Sequence, residues 1–279
     1  MATVFNERDV QSESFGTNAL RARLITKERV KGTNILLDRW TLLRDASIDL
    51  SVSSGNLGWI HILDGEITVK HAGSEERLGK SHTAYFPSAF RGSLCSSAGA
   101  VLLYVEVPDA VRFDPDIVAG GSKYRAIDWK QEPVLSSLHD SRKRIYLATP
   151  NLFGTNAIKA EMIIYPPGTS GSNHHHEGCE HFKYVLKGDG IGYADEHPHS
   201  LQQGDVVYHP DLERHYSVTQ GSQDVAFIEF FVPGEFKTVW ADENRVCTWQ
   251  PTGQNSVGGK PAREIQSHSS AEFASPGDV

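Results

Sequence analysis

From Leu24 onward the chain is written in short apolar runs cut by turn residues. NILLDRWTLL, ASIDLSVSS, LGWIHILDGEITVKHAG, HTAYFPSAF and AVLLYVEVP succeed one another with Gly, Ser, Asn and Asp at their edges. Runs of this length, rich in Val, Ile, Tyr, Phe and Trp, predict the strands of a sandwich or barrel rather than helices. Residues 110–133 break the rhythm with Asp, Gly and Pro and read as a connector. Strand text resumes with KRIYLATPN, AIKAEMIIYPPG, EHFKYVLKGDGIGYA, GDVVYHP and AFIEFFVPG. The first 20 residues are polar and aperiodic, which predicts a loose start. Beyond residue 250 the Gly-, Ser- and Pro-rich text holds too few apolar residues to repay the entropy of ordering it. Residues 251–279 are therefore expected to be a disordered tail.

The two halves repeat each other. ILDGEI around Gly65 matches VLKGDG around Gly188, and YFPSAFRG with Pro87 matches YHPDLERH with Pro210, both at an offset of 123. VEVPDA at Pro108 and FFVPGE at Pro233 match at 125. Three coincidences in one order imply two copies of one β unit. The expected boundaries are residues 21–125 and 126–250.

Composition narrows the function classes. The 279-residue chain is 39% hydrophobic, enough for real cores, and carries a formal net charge of -8. An acidic chain without a long basic tract is not expected to bind nucleic acid. No run of some 18 apolar residues and no signal-peptide pattern occurs, so a cytoplasmic protein away from membranes is expected. Three cysteines, Cys95, Cys179 and Cys247, are too few and too odd for a disulfide framework.

The candidate chemistry lies in Gly168–Gly188, GTSGSNHHHEGCEHFKYVLKG, where His174, His175, His176, Glu177, Glu180 and His181 fall within eight positions. His174 and His176 are two apart, so on a strand they face one side and can present two nitrogens to one ion. A third ligand would come from the next strand, after the turn at Glu177–Gly178. A fourth, His215, lies downstream in GDVVYHPDLERHYSV. Such a shell leaves one or two coordination positions open for substrate. Subtracting 123 from His174, His176, Glu180, His181 and His215 lands on Ser51, Ser53, Leu57, Gly58 and Gly92, none of them a good ligand. The first half thus keeps the frame without a comparable site.

Over residues 30–245 the chain resembles the bicupins. The first cupin motif is matched by Gly168, His174, His176 and Gly188, and the second by Gly204, Pro210 and His215, with Leu212 where the family has Gly and Thr219 where it has Asn. The resemblance implies an all-β fold of two duplicated double-stranded β-helix (jelly-roll) cupin domains, one divalent metal per chain in the C-terminal domain, and a homodimer. It leaves the third ligand open. Counting back from Gly188 gives His181, counting on from His176 gives Glu180, and an ungapped alignment uses His175, Glu177 and His181. Apolar alternation favours Glu180 facing inward with Phe182 and Tyr184, leaving Lys183 and Lys187 outside.

A histidine-rich centre with open positions suits Fe(II), and a dioxygenase acting on a small organic substrate without 2-oxoglutarate is the first expectation. A redox-neutral Mn(II), Zn(II) or Ni(II) isomerase, decarboxylase or hydrolase is the second. Among such enzymes ureidoglycine aminohydrolase is similar in the register EHFKYVLKG. A binding bicupin without turnover is the third. Tyr184 and Tyr208 are the candidate catalytic donors beside the metal; His209 is also close in sequence, while Cys179 and Arg214 read as ordinary packing or surface residues.

Overall fold

The computed structural model describes residues 2–118, 120, 122–242, 244 and 246–269. They form an all-β chain of two compact units. The first holds residues 7–129 and 153–155; the second holds the described residues of 1–6, 130–152 and 156–279.

In the first unit, two long strands serve both walls of a jelly roll. Leu36–Ser51 pairs with Ala100–Val107 along its first half and with Arg91–Ser96 along its second. Leu57–His71 does the same, with His82–Phe86 and Ala100–Val107 first, then Ser74–Gly79 and Arg91–Ser96. Alternating inward residues, among them Trp40, Ile60, Ile62, Phe86, Leu94 and Leu102, fill the space between the walls.

The second unit divides the same work between two sheets. One runs in the order Thr3–Asn6, Asp205–His209, Glu180–Lys187, Val225–Val232, Lys159–Tyr165, Lys143–Ala148, Pro133–Ser137, Thr248–Asn255 and His268–Ser269. The other runs His197–Leu201, Gly190–Ala194, His215–Thr219, His174–Glu177 and Lys237–Trp240. The repeat is visible in backbone detail. Gly65 and Gly188 both have positive φ, at 75° and 80°. A Cβ on Gly65 would lie 2.3 Å from the Gly99 carbonyl oxygen, and one on Gly188 would lie 2.2 Å from that of Asp224. Only glycine fits both the left-handed conformation and the close strand crossing. Pairing repeats too: Trp59 faces Tyr85 as Phe182 faces Tyr208.

Two expectations about the ends are corrected. The start is not loose, because Thr3–Asn6 pairs with Asp205–His209, and Asn6 donates to the Asp205 carboxylate at 2.7 Å. Nor is the tail disordered within the described residues. Thr248–Asn255 pairs with Pro133–Ser137, His268–Ser269 pairs with Thr248–Trp249, and Trp249 and Ile265 are buried. Polar anchors do much of the holding there. Asn255 bonds Gln131 and the Lys260 carbonyl and accepts from the Gly259 amide, while Arg263 pairs with Glu132 at 2.6 Å. The remainder of that expected tail, residues 270–279, lies outside the described residues.

Candidate metal centre

Both sheets of the second unit contribute imidazoles to one cluster. His174 and His176 come from the five-stranded sheet, where His174 stands opposite His215 in register. His181 and His209 come from the nine-stranded sheet, directly opposite each other. Ring centroids are 4.4 Å apart for His174–His215, 4.9 Å for His174–His176, 4.7 Å for His181–His215 and 5.1 Å for His176–His181. Among the described residues two groups have ligand atoms within 4.8 Å of one another: His174, His176 and His215, and His181, His209 and His215. Both lie in the second unit.

The donor chemistry fits a divalent cation. Three rings have their Nδ1 engaged by a protein oxygen: His174 by the Ser172 carbonyl at 2.8 Å, His215 by the Glu213 carbonyl at 2.9 Å, and His176 by the Thr238 hydroxyl at 3.2 Å. That second contact fixes each ring and turns Nε2 toward the cluster. The buried Nε2 of His215 and both nitrogens of His181 lack a hydrogen-bond partner. Burial keeps the rings neutral, bringing His174 down to about 3 and holding His176, His181 and His215 well below the ordinary imidazole range. Neutral, desolvated lone pairs converging from several sides are costly by themselves and are what a cation would use.

The structure turns the strand Glu180–Lys187 the opposite way from the alternation read in the sequence. His181 and Lys183 face the cluster, whereas Glu180 lies on the other face and accepts a hydrogen bond from the Tyr208 hydroxyl. The physical reason is that Lys183 is not a solvated lysine: it pairs with Glu229 at 3.4 Å inside the unit. Tyr184 and Tyr208 share the parity of Glu180, so neither expected catalytic tyrosine lines the cavity beside the imidazoles. The ungapped ligand choice fails likewise. His175 and Glu177 point away from His174 and His176, pair with each other at 3.5 Å, and leave Glu177 half exposed beside Lys237. Cys179 is buried and outside the cluster, and burial pushes its thiol up.

Next to the imidazoles opens a cavity. His174, His176 and Trp240 line it, together with Arg142, Arg144, Lys159, Lys183, Glu161 and Glu229. The charged residues are arranged in register. Lys183 faces Glu229, Glu229 faces Glu161, and Glu161 faces Tyr146 across four neighbouring strands. Arg144 pairs with Glu161 at 2.9 Å and lies 4.0 Å over the Trp249 ring; Lys159 stands 3.7 Å from Glu161. Burial draws the Lys183 ammonium down and pushes the Glu229 carboxyl up, each opposed by the other's charge. Sequence reading missed this ladder because lysines and glutamates on a strand normally mark its wet face.

Residues 161–231 match the family model described as Cupin domain. No curated protein matches the chain. Solved structures share its fold. An oxalate decarboxylase studied for its substrate binding mode and a reaction specificity switch is 18% identical, with a TM-score of 0.67 over 85% of this chain and 79% of that one. Protein Ylba from E. coli is 14% identical, with a TM-score of 0.66 over 83% of this chain and 90% of that one. A Bacillus subtilis oxalate decarboxylase whose Mn(II) centres were assigned is 16% identical, with a TM-score of 0.65 over 85% and 79%. The architecture is therefore that of duplicated cupin jelly rolls, with histidine clusters able to hold a metal in the second unit. None of these structures is named as a ureidoglycine aminohydrolase. The expectation of an iron-dependent dioxygenase, an oxidoreductase, is corrected: the structures sharing the fold include oxalate decarboxylases, one of them described with Mn(II) centres. No helix among the described residues is long and apolar enough to cross a membrane.

Proposed function

We propose that the protein is a metal-dependent, redox-neutral enzyme that decarboxylates, or performs a related lyase step on, a small anionic substrate. The observation that carries this reading is the junction of two features: an imidazole cluster with neutral donors, and a cavity beside it lined by Arg142, Arg144, Lys159 and Lys183. His174, His176, His181 and His215 would hold the ion, and Mn(II) is favoured by likeness to the oxalate decarboxylase with Mn(II) centres. When bound, such an ion supplies Lewis-acid stabilisation of negative charge developing on the substrate. The chain's own residues do the rest. Arg144 and Lys159, held by Glu161, orient an anionic group. Trp240, its ring tilted against that of His174 with centroids 4.8 Å apart, and Phe231 and Phe236 narrow the space and exclude water. Lys183 and Glu229 place a buried ammonium and a buried carboxyl in the same cavity, a pair able to hold and move a proton.

The test is elemental analysis of protein purified without a histidine tag, followed by carbon dioxide release from a panel of small mono- and dicarboxylates with Mn(II) restored. One equivalent of metal and turnover of at least one member, both lost in His176→Ala, are expected. Protein with no stoichiometric metal would sink the reading. Metal binding and carboxylate binding without turnover would instead establish a binding protein.

A further inference from the structure

The cluster contains a fifth imidazole. His209 closes the strand Asp205–His209 immediately before Pro210, and its ring is 2% exposed. It stacks 4.8 Å from His181 and 4.5 Å from His215, at interplanar angles of 23° and 28°. A ring nitrogen of His209 lies within 4.8 Å of ligand atoms of both His181 and His215. The three form a group of their own, sharing His215 with the group made by His174 and His176. Nδ1 of His209 is held by the Glu213 carboxylate at 2.8 Å, and both side chains are 2% exposed.

A second observation points the same way. His181, 2% exposed, has both ring nitrogens buried without a hydrogen-bond partner, and Nε2 of His215 is in the same condition. These are the two rings that His209 stacks against. Nδ1 of His209 is satisfied by Glu213, so the nitrogens that packing alone leaves without a partner are those of the two rings beside it, His181 and His215. A carboxylate on one nitrogen of a buried histidine is the contact that orients metal-bound histidines and raises their basicity.

Building on the metal-enzyme reading above, we propose that His209 is itself a ligand of the divalent cation beside His181 and His215, with Glu213 as the carboxylate that fixes its ring. The first coordination sphere would then be all imidazole, and its balancing negative charge would lie one residue behind it, on Glu213. Such a sphere suits borderline divalent cations such as Co(II), Ni(II) or Zn(II); Mn(II), which accepts oxygen ligands as readily, would be the weakest held of the series, and Mg(II) or Ca(II) would not be retained.

The experiment uses full-length protein stripped by chelation and refilled with Co(II), whose visible absorption reports ligand type and coordination number. Competition with a chromophoric chelator gives Mn(II) and Co(II) affinity for wild type, His209→Phe, Glu213→Gln and His215→Ala. Expected are one equivalent in wild type, an altered Co(II) spectrum with at least about tenfold weaker affinity in His209→Phe, and a loss of about 10- to 100-fold in Glu213→Gln. Wild type and His215→Ala bracket the scale. A His209→Phe protein with the wild-type spectrum and affinity would overturn the assignment and leave the metal-enzyme reading standing. Failure of wild type to take up a stoichiometric ion would overturn both. Circular dichroism checks the fold; should His209→Phe not fold, His209→Ala, which removes bulk instead of adding it, and the nearly isosteric Glu213→Gln carry the same comparison.

Discussion

At the scale of single residues, the strand Glu180–Lys187 shows why the third ligand could not be chosen by pattern. Alternation informs only when one face of a strand is wet. Here the first six residues, Glu180 to Val185, are all buried, so both parities look equally good and a lysine no longer marks the outside. His174, His176 and His215 were legible because two of them stand two apart and the third follows a Gly and a Pro at known spacing; the structure brings those three together. The third-ligand question becomes a direct prediction. His181→Ala should lose the metal, whereas Glu180→Ala should keep it and lose about 1–3 kcal/mol of stability with the buried Tyr208 hydrogen bond. Metal analysis with urea titration checks both, and loss of metal in Glu180→Ala alone would reverse the assignment. A second residue carries a pH prediction. Burial raises the Asp38 carboxyl from 3.8 to about 6, against the opposing Trp40 indole hydrogen bond and the charges of Arg21 and Arg23. Its folded pKa is above its unfolded one, so its contribution favours folding below about pH 4 and is lost as pH rises through about 6. Asp38→Asn stays neutral and keeps an acceptor for Trp40. Its advantage over wild type should therefore appear between pH 4 and 6 and level off above, at no more than about 3 kcal/mol. Denaturation midpoints of the two proteins across that range test it, and a pH-independent difference would refute it.

At the scale of elements, the glycines carried more information than the apolar runs. Gly65 and Gly188 match in the sequence, and the structure supplies the cause: each is left-handed, and a Cβ on either would come within 3 Å of another segment's backbone. Adding a methyl group at Gly188 should cost more than about 2 kcal/mol, from the left-handed conformation together with the clash at the Asp224 carbonyl. Gly188→Ala compared with Gly73→Ala separates the two effects. Gly73 is also left-handed, at φ 79°, but a Cβ there meets nothing within 4 Å. The second substitution should cost about 1 kcal/mol, and equal losses would show that the strand crossing contributes nothing. The terminal elements were illegible for a related reason. Thr3–Asn6 is four residues long and Thr248–Asn255 alternates poorly; both are held by neighbours distant in sequence and by side-chain amides, which no local window registers.

At the scale of the whole molecule, the duplication makes one unit an internal reference for the other. Both are built on the same strand pairings, yet the positions that carry imidazoles in the second unit hold Ser51, Ser53, Gly58 and Gly92 in the first. If the cation belongs to the second unit, its binding energy should protect that unit's strands and leave the first unit's as they were. A ligand held at a hundredfold excess over its Kd stabilises the state that binds it by about 2.7 kcal/mol, which is roughly a hundredfold in the opening equilibrium of the amides it secures. Hydrogen exchange read by mass spectrometry, with and without Mn(II), resolves this by peptide. Peptides spanning His174–Glu177, Glu180–Lys187 and His215–Thr219 should exchange more slowly with the ion, while those spanning Leu57–His71 and Ala100–Val107 should not change. The second unit's two sheets meet at the histidines, so protection should extend to Lys237–Trp240, which pairs with His174–Glu177, even though none of its residues would be a ligand. Protection confined to the ligand residues would describe an ion bound loosely at a surface. Slowing of equal size in the first unit would mean that the ion binds elsewhere or that the units open together.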